Sequence, residues 1–233
     1  MSDKALPEHA RVVVIGGGII GCSVAYHLAE MGCDEVVLLE RDQLTSGTTW
    51  HAAGLMTTYG SGSETLLGIR RHSMELYKRI EEETGQQTGF KGVGFIELAA
   101  DEDRLEEYRR ITAFNRLHGT EIHELSPAEV KDLFPYAETD NICAGFYAEH
   151  DGRINPVDVT MALARGARMK GAKIFQNTPV RGVLTRNGTV TGVRTDKGEI
   201  RSEFVVNCAG MWARQLGEQN GVVIPNQAAE HYY

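Results

Sequence analysis

The sequence is poor in positive charge: 24 Lys and Arg stand against 32 Asp and Glu, a net charge of −8, and no basic tract interrupts the balance. Nucleic acid and anionic membrane are therefore poor candidates as main partners. It also lacks any run approaching the ~20 apolar residues needed to cross a bilayer. There is no CxxC pair; Cys22, Cys33, Cys143 and Cys208 are scattered, and His72, His118, His123 and His150 have no metal-ligand spacing. The cysteines read as reduced, buried thiols, and no metal is expected. No apolar run precedes Val12, and Asp3 and Glu8 lie among the first residues. That pattern fits neither a secretory signal nor an arginine-rich transit peptide, so the expected compartment is the cytoplasm. Repeats and low-complexity segments are absent, and 42% hydrophobic with 24% charged residues is ordinary globular composition. Disordered tails, collagen-like repeats and coiled-coil rods are thereby excluded. At ~150 residues per domain, the chain holds one or two domains.

What is present begins with a β-branched run, Arg11 to Ile15, stopped by three glycines. Such a run predicts a strand buried on both faces. A helix is predicted over Ile19 to Met31, with Ile20, Val24, His27 and Leu28 near one face and Gly32 as its stop. A second buried strand, Glu35 to Leu39, completes a right-handed βαβ unit. Further on, Glu64 to Thr84 reads as an amphipathic helix, Val93 to Ala99 as a strand and Asp101 to Leu117 as a charged surface helix. Ser126 to Glu129 is a helix start with a capping box, and Pro156 to Lys170 is another helix. Asn187-Gly188 and Lys197-Gly198 mark hairpin turns between Val180–Leu184, Val190–Thr195 and Ile200–Val206. This order predicts an α/β nucleotide-binding domain with another domain inserted into it.

The glycine run Gly16-Gly17-Gly18-Ile19-Ile20-Gly21 satisfies G-x-G-x-x-G between a predicted strand and helix. Its first glycine permits the tight turn, the second lets backbone approach a pyrophosphate, and the third lets helix pack on strand. The helix N-terminus offers N–H groups and partial positive charge to phosphates. Glu40 closes the second strand, 19 residues after Gly21. A carboxylate there accepts hydrogen bonds from ribose hydroxyls and repels a 2′-phosphate, which leaves FAD or NAD and disfavours NADP. The following segment, LTSGTTWHAAGL from Leu44 to Leu55, is small and polar enough to lie along a pyrophosphate and reach an isoalloxazine. An NAD enzyme normally moves straight into another helix at this point.

The strings VVVIGGGIIGCSVAYHLAEMG, VVLLERDQLTSGTTWHAAGL, NTPVRGV and VVNCAGMWAR resemble the dimethylglycine and sarcosine dehydrogenases, within the wider D-amino-acid-oxidase-like flavoproteins. The resemblance runs from Arg11 to Tyr233, and TWHAAGL is its most specific part. It implies a Rossmann-like FAD-binding domain with an inserted α+β substrate domain, the latter incomplete. It assigns residues 1–90 and 145–222 to the first and residues 91–144 and 223–233 to the second. It further implies FAD held covalently through His51, by a bond from a ring nitrogen to the flavin 8α carbon. Residue by residue, Gly16, Gly18, Gly21, Ile19 and Ile20 match the pyrophosphate turn, and Glu40 and Arg41 the ribose-adenine pair. Gly47, Thr48, Thr49, Trp50, His51, Ala52, Ala53, Gly54 and Leu55 match the loop beneath the flavin. Val180 matches a backbone contact to adenine, and Ala209, Gly210 and Trp212 the turn after the last strand, with Trp212 beside the cofactor.

The substrate implied by the resemblance is a small N-methylated amino acid, from which a hydride passes to the flavin and leaves an iminium. Such a reaction requires a neutral amine, an oriented C–H bond and a partner for the carboxylate. His231, near the chain's end, matches a position where a histidine faces substrate, and imidazole titrates in the range needed to deprotonate an ammonium group. The acceptor of the electrons is an electron-transfer flavoprotein or oxygen. The acidic stretches Glu81–Glu83 and Asp101–Glu107 read as solvated faces. Two alternatives stand beside this reading: a noncovalent FAD amino-acid oxidase acting at the α-carbon, and a non-catalytic FAD-binding fragment. The second arises because the family's substrate domain continues past the position matching Tyr233, and a tetrahydrofolate-binding domain belongs only to longer members.

Overall fold

A computed structural model of the chain describes residues 5–230. In chain order the elements are β1 (His9–Ile15), α1 (Ile19–Glu30), β2 (Val36–Leu39), β3 (Leu55–Met56), α2 (Glu64–Thr84), β4 (Phe95–Ala99), α3 (Glu102–Leu117), β5 (His123–Leu125) and α4 (Pro127–Leu133). They continue with β6 (Ala144–Ala148), β7 (Gly152–Arg153), α5 (Pro156–Met169), β8 (Lys173–Phe175), β9 (Val180–Arg186), β10 (Thr189–Thr195), β11 (Gly198–Asn207) and α6 (Ala213–Glu218). Single 3₁₀ turns lie at Thr49–His51 and Gly210–Trp212. The chain packs as two units. Unit 1 gathers the residues up to Ala53, Ile80–Thr88 and those from Pro156 onward; unit 2 gathers Gly54–Arg79 and Gly89–Asn155. The boundaries expected from sequence, at 90, 145 and 222, fall at other positions.

Unit 1 is a six-stranded sheet in the order β8-β2-β1-β11-β10-β9. The first four strands are parallel, with Val13 opposite Val37 on one side and Val205 on the other. β9, β10 and β11 form an antiparallel meander. Its Asn187-Gly188 turn has φ of 52° and 76°, the left-handed pair that a two-residue hairpin demands. Val13, Ile15, Val37, Leu39, Val193 and Ile200 form one buried cluster of the sheet, with Phe175, Val180 and Leu216 packed against it. This is the Rossmann-like, mixed α/β arrangement that the βαβ start predicts.

The face of α1 that goes inside differs from the expected one. Ile20 is 64% exposed, whereas Gly21, Cys22, Ala25, Tyr26 and Ala29 are buried. α1 is apolar nearly all round, so small residues decide its contact face by letting it approach closely. At its neighbour α5, a Cβ on Gly166 would sit 2.8 Å from the Tyr26 ring. The Tyr26 hydroxyl then lies 2.9 Å from a Glu83 carboxylate oxygen and 3.1 Å from one of Glu30, the two acceptors competing for its one proton. On α2, Ile69 is likewise 56% exposed, and Met74 is buried.

Unit 2 is built on a three-stranded antiparallel sheet, β4-β6-β5, with β3 and β7 paired separately. Tyr59, Ala99, Leu105, Ile122, Ala144, Phe146 and Ala148 form its core, and Phe95, Tyr108 and Ile111 pack onto it. Asp101 caps α3 by accepting from the Arg104 N–H at 2.8 Å, and Ser126 and Glu129 close the expected capping box on α4. Fully buried Asp151 ties the segment after β3 to the turn before β7. It accepts from the Thr58 hydroxyl at 2.6 Å and from the Thr58 N–H at 2.8 Å. Among the described residues no helix is long and apolar enough to cross a membrane.

Candidate cofactor site

Strand order in unit 1 reverses at β1: the chain leaves it for β2 on one side and returns as β11 on the other. Ligands of open α/β sheets bind outside the carboxyl ends of strands at such a switch point. A cleft lies there, lined by Gly16, Gly17, Gly18, Glu40, Arg41, Ser46, Gly47, Thr48, Thr49, Val180, Ala209, Gly210 and Trp212, with Gln215 and Gln219 beside them.

The glycine turn has no room for side chains. Gly16 adopts φ +111°, and a Cβ there would lie 2.3 Å from the Cys208 carbonyl oxygen. A Cβ on Gly21 would lie 1.9 Å from the Gly16 carbonyl oxygen, so only glycine lets α1 begin against β1. The first intrahelical bond runs from the Cys22 N–H to the Gly18 carbonyl, so the N–H groups ahead of it are not consumed by the helix. One of them, Ile19 N–H, donates to the Thr49 Oγ1 at 3.0 Å. Ile19 itself does not line the cleft, and its N–H serves to fasten the 44–53 loop to the helix start. Thr45 fastens it a second time, donating to the Gly17 carbonyl at 3.0 Å. Its φ of 72° is a left-handed conformation that a β-branched residue adopts only under constraint. The Leu44 N–H donates to the Gln176 side-chain oxygen at 2.8 Å, a third anchor.

Glu40 is buried, 8% exposed, and its carboxylate is held by backbone. Oε2 accepts from the Gly17 N–H at 2.6 Å and Oε1 from the Asp42 N–H at 2.9 Å. These bonds offset the burial of the charge and fix the carboxylate while leaving each oxygen a second acceptor site. Next to it, the Arg41 guanidinium stacks on the Trp212 ring, 3.7 Å from the ring centroid. Two thiols lie near the turn. Burial pushes the Cys22 thiol up to about 12 and raises Cys208 as well, so both are neutral.

The structure places the sequence-predicted residues unequally. Gly16, Gly18, Glu40, Arg41, Gly47, Thr48, Thr49, Val180, Ala209, Gly210 and Trp212 line the cleft, whereas Ile19, Ile20, Gly21, Trp50, His51, Ala52 and Ala53 belong to unit 1 without lining it. Gly54 and Leu55 belong to unit 2. His51 is exposed in the 3₁₀ turn, and its ring lies tilted by 35° against that of Trp50, with centroids 3.7 Å apart. His231 lies outside the described residues. Sequence reasoning missed Ser46, Gln215 and Gln219. The glutamines had a readable signal, a polar pair four residues apart directly after the glycine turn of NCAGMWAR.

These residues fit FAD. The turn is a cradle that Cβ atoms would fill, the helix N-terminus favours an anion, and the fixed carboxylate suits a ribose without a 2′-phosphate. Residues 11–233 match the FAD dependent oxidoreductase family. The chain is 42% identical to sarcosine dehydrogenase, mitochondrial, of Homo sapiens, over 99% of this chain and 26% of that protein. It is also 42% identical to dimethylglycine dehydrogenase, mitochondrial, of Rattus norvegicus, over 97% of this chain and 26% of that protein. Pyruvate dehydrogenase phosphatase regulatory subunit, mitochondrial, of Mus musculus is 41% identical over 98% of this chain and 26% of its own length. The chain therefore spans about a quarter of the length of these curated relatives. Among solved structures, L-proline dehydrogenase from P. horikoshii superposes with a TM-score of 0.87 at 31% identity, over 93% of this chain and 57% of that one. The chain belongs to the FAD-dependent oxidoreductase family.

Proposed function

We propose that this chain carries the FAD-binding part of an amine oxidoreductase that oxidises N-methyl groups of small amino acids of the sarcosine and dimethylglycine type. The observation that carries the reading is the cleft with its fixed Glu40 carboxylate, in a chain 42% identical to sarcosine dehydrogenase. When bound, FAD supplies a hydride acceptor for a carbon attached to the amine nitrogen. The chain's own residues bind and orient it. The glycine turn and the start of α1 receive the pyrophosphate, and Glu40 takes the ribose hydroxyls. The loop fastened by Thr45 and Thr49 carries His51, which tethers the flavin through a ring nitrogen. His231 holds or removes the ammonium proton so that the amine reacts neutral. The electrons leave to an electron-transfer flavoprotein or to oxygen.

The test is anaerobic addition of sarcosine, dimethylglycine and longer N-methylamino acids to the flavin-loaded protein. Bleaching by these and not by the unmethylated amino acids supports the reading; bleaching only by unmethylated amino acids assigns a noncovalent α-carbon oxidase instead. Acid precipitation reads the tether separately: yellow colour stays with wild-type protein and leaves with the supernatant in His51→Ala. A non-catalytic role is the second reading, favoured by the 41% identity to a protein named as a regulatory subunit. Bound FAD that no amine bleaches would establish it.

A further inference from the structure

The Arg41–Trp212 stack has a consequence beyond lining the cleft. Arg41 leaves the carboxyl end of β2, directly after the ribose carboxylate, and Trp212 ends the 3₁₀ turn after β11. The two therefore meet across the end of β1. Trp212, 37% exposed, and Arg41 are both exposed, and both line the cleft together with Val180. A free arginine has high side-chain entropy, and immobilising it usually takes a carboxylate that consumes its N–H donors. Here, among the described residues, the contact that fixes Arg41 is an aromatic face. Stacking uses the flat face of the guanidinium and leaves the five N–H donors in its plane available. The result is a pre-aimed fork of donors next to Glu40, whose own oxygens are already set.

We propose that Trp212 is a positioning residue, acting on the nucleotide through Arg41 rather than by touching it. At the ribose-adenine end, where the family resemblance already sets Arg41, the guanidinium donates in-plane N–H groups to acceptor atoms of the adenosine. Trp212 holds that fork in its binding orientation before the ligand arrives. This deepens the FAD reading of the cleft and rests on it.

The proposal makes a distinctive demand on a double-mutant cycle read by calorimetric titration with ADP of the full chain carrying His51→Ala and freed of FAD, so that no tethered cofactor occupies this end of the cleft. Trp212→Ala weakens ADP by about tenfold, and Trp212→Phe, which keeps an aromatic face, restores most of the loss. Arg41→Ala weakens ADP at least as much. In the Arg41→Ala background the Trp212→Ala change has no further effect, so the double variant binds like the Arg41→Ala single variant. AMP loses affinity by the same factors as ADP, because the outer phosphate is not what Arg41 reads. Additive losses, meaning about a hundredfold in the double variant, show that Trp212 contacts the nucleotide itself and overturn the proposal. An ADP affinity indifferent to Trp212→Ala overturns it too, as does a loss seen with ADP alone. A His51→Ala parent that binds neither ADP nor FAD overturns the cleft reading and this proposal with it.

Discussion

In unit 1 the decisive features at the cleft are missing side chains: a Cβ at Gly16 or Gly21 would collide with a carbonyl oxygen at 2.3 or 1.9 Å. In unit 2 they are large ones. Tyr59 lies parallel to Phe146, with Tyr108 edge-on to both. Glu40 in unit 1 is buried with a backbone donor on each oxygen. In unit 2 the Asn115 Oδ1 is buried with no hydrogen-bond partner, as is Asn226 Oδ1 in unit 1, and the buried Tyr59 hydroxyl and Thr112 Oγ1 have no candidate partner but each other. Burial accordingly pushes the Tyr59 phenol well above its usual range. Unit 1 holds a shape prepared for a ligand, at the cost of strain at Thr45. Unit 2 gains its stability from apolar and aromatic burial around a few poorly partnered polar groups.

If that difference is real, substitutions fail differently in the two units. Phe146→Ala should show the largest effect, about 3–5 kcal/mol of lost stability from the transfer term and the cavity left among Tyr59, Tyr108 and Leu105. Chemical denaturation reads it, and hydrogen exchange should rise in β4 and β6; a loss under 1 kcal/mol would remove the aromatic cluster as the core of unit 2. Gly21→Ala should cost about 3 kcal/mol by overpacking against backbone that has nowhere to move. Thermal melting measures this, and a neutral result would mean that the turn relaxes. Thr112→Val sharpens the contrast from the other side. The hydroxyl it removes has at most the Tyr59 phenol as partner, so stability should change by less than about 1 kcal/mol in either direction, and a larger fall would show a stronger bond at Thr112.

The smallest effect is electrostatic. Hydrogen bonds from Arg109, at 2.6 and 3.0 Å, hold the Glu124 carboxyl below the usual carboxylate range. A carboxyl lowered in the folded state stabilises it above the unfolded value of about 4.3, and the contribution disappears as pH falls through the folded value. For a pair this exposed, solvent screening keeps the contribution small. Melting curves of wild type and Arg109→Ala should thus differ slightly at neutral pH and coincide in strong acid; an equal gap at both would assign Arg109 another role.

The same contrast governs what the sequence disclosed. The glycine turn, Glu40 and the Asn187-Gly188 hairpin are dictated by local backbone geometry, and α2 spans the residues its periodicity predicts. The long-range partners were not legible. Nothing local says that Thr49 caps α1, that Gln176 holds Leu44, or that Arg41 stacks on Trp212, 171 residues away. The inward face of α1 was misread because Gly21, Ala25 and Ala29 bury little area each, and hydrophobicity points instead to Ile20 and Leu28. In unit 2, β3 and β7 are two residues long and β5 three, too short for an alternating pattern to register.

The central claim is that the cleft at the end of β1 in unit 1 is the FAD site. The most direct measurement is equilibrium titration of FAD with flavin-free protein in a His51→Ala background, where no tethered cofactor fills the cleft, comparing this parent with added Gly16→Val in unit 1 and added Phe134→Ala on the exposed surface of unit 2, each checked for folding by circular dichroism. Saturable binding by the parent and Phe134→Ala, weakened more than about a hundredfold in folded Gly16→Val, is the predicted result, since a Cβ at Gly16 collides with the Cys208 carbonyl and distorts the turn that presents backbone N–H groups to the pyrophosphate. Undiminished FAD binding by Gly16→Val would contradict the account.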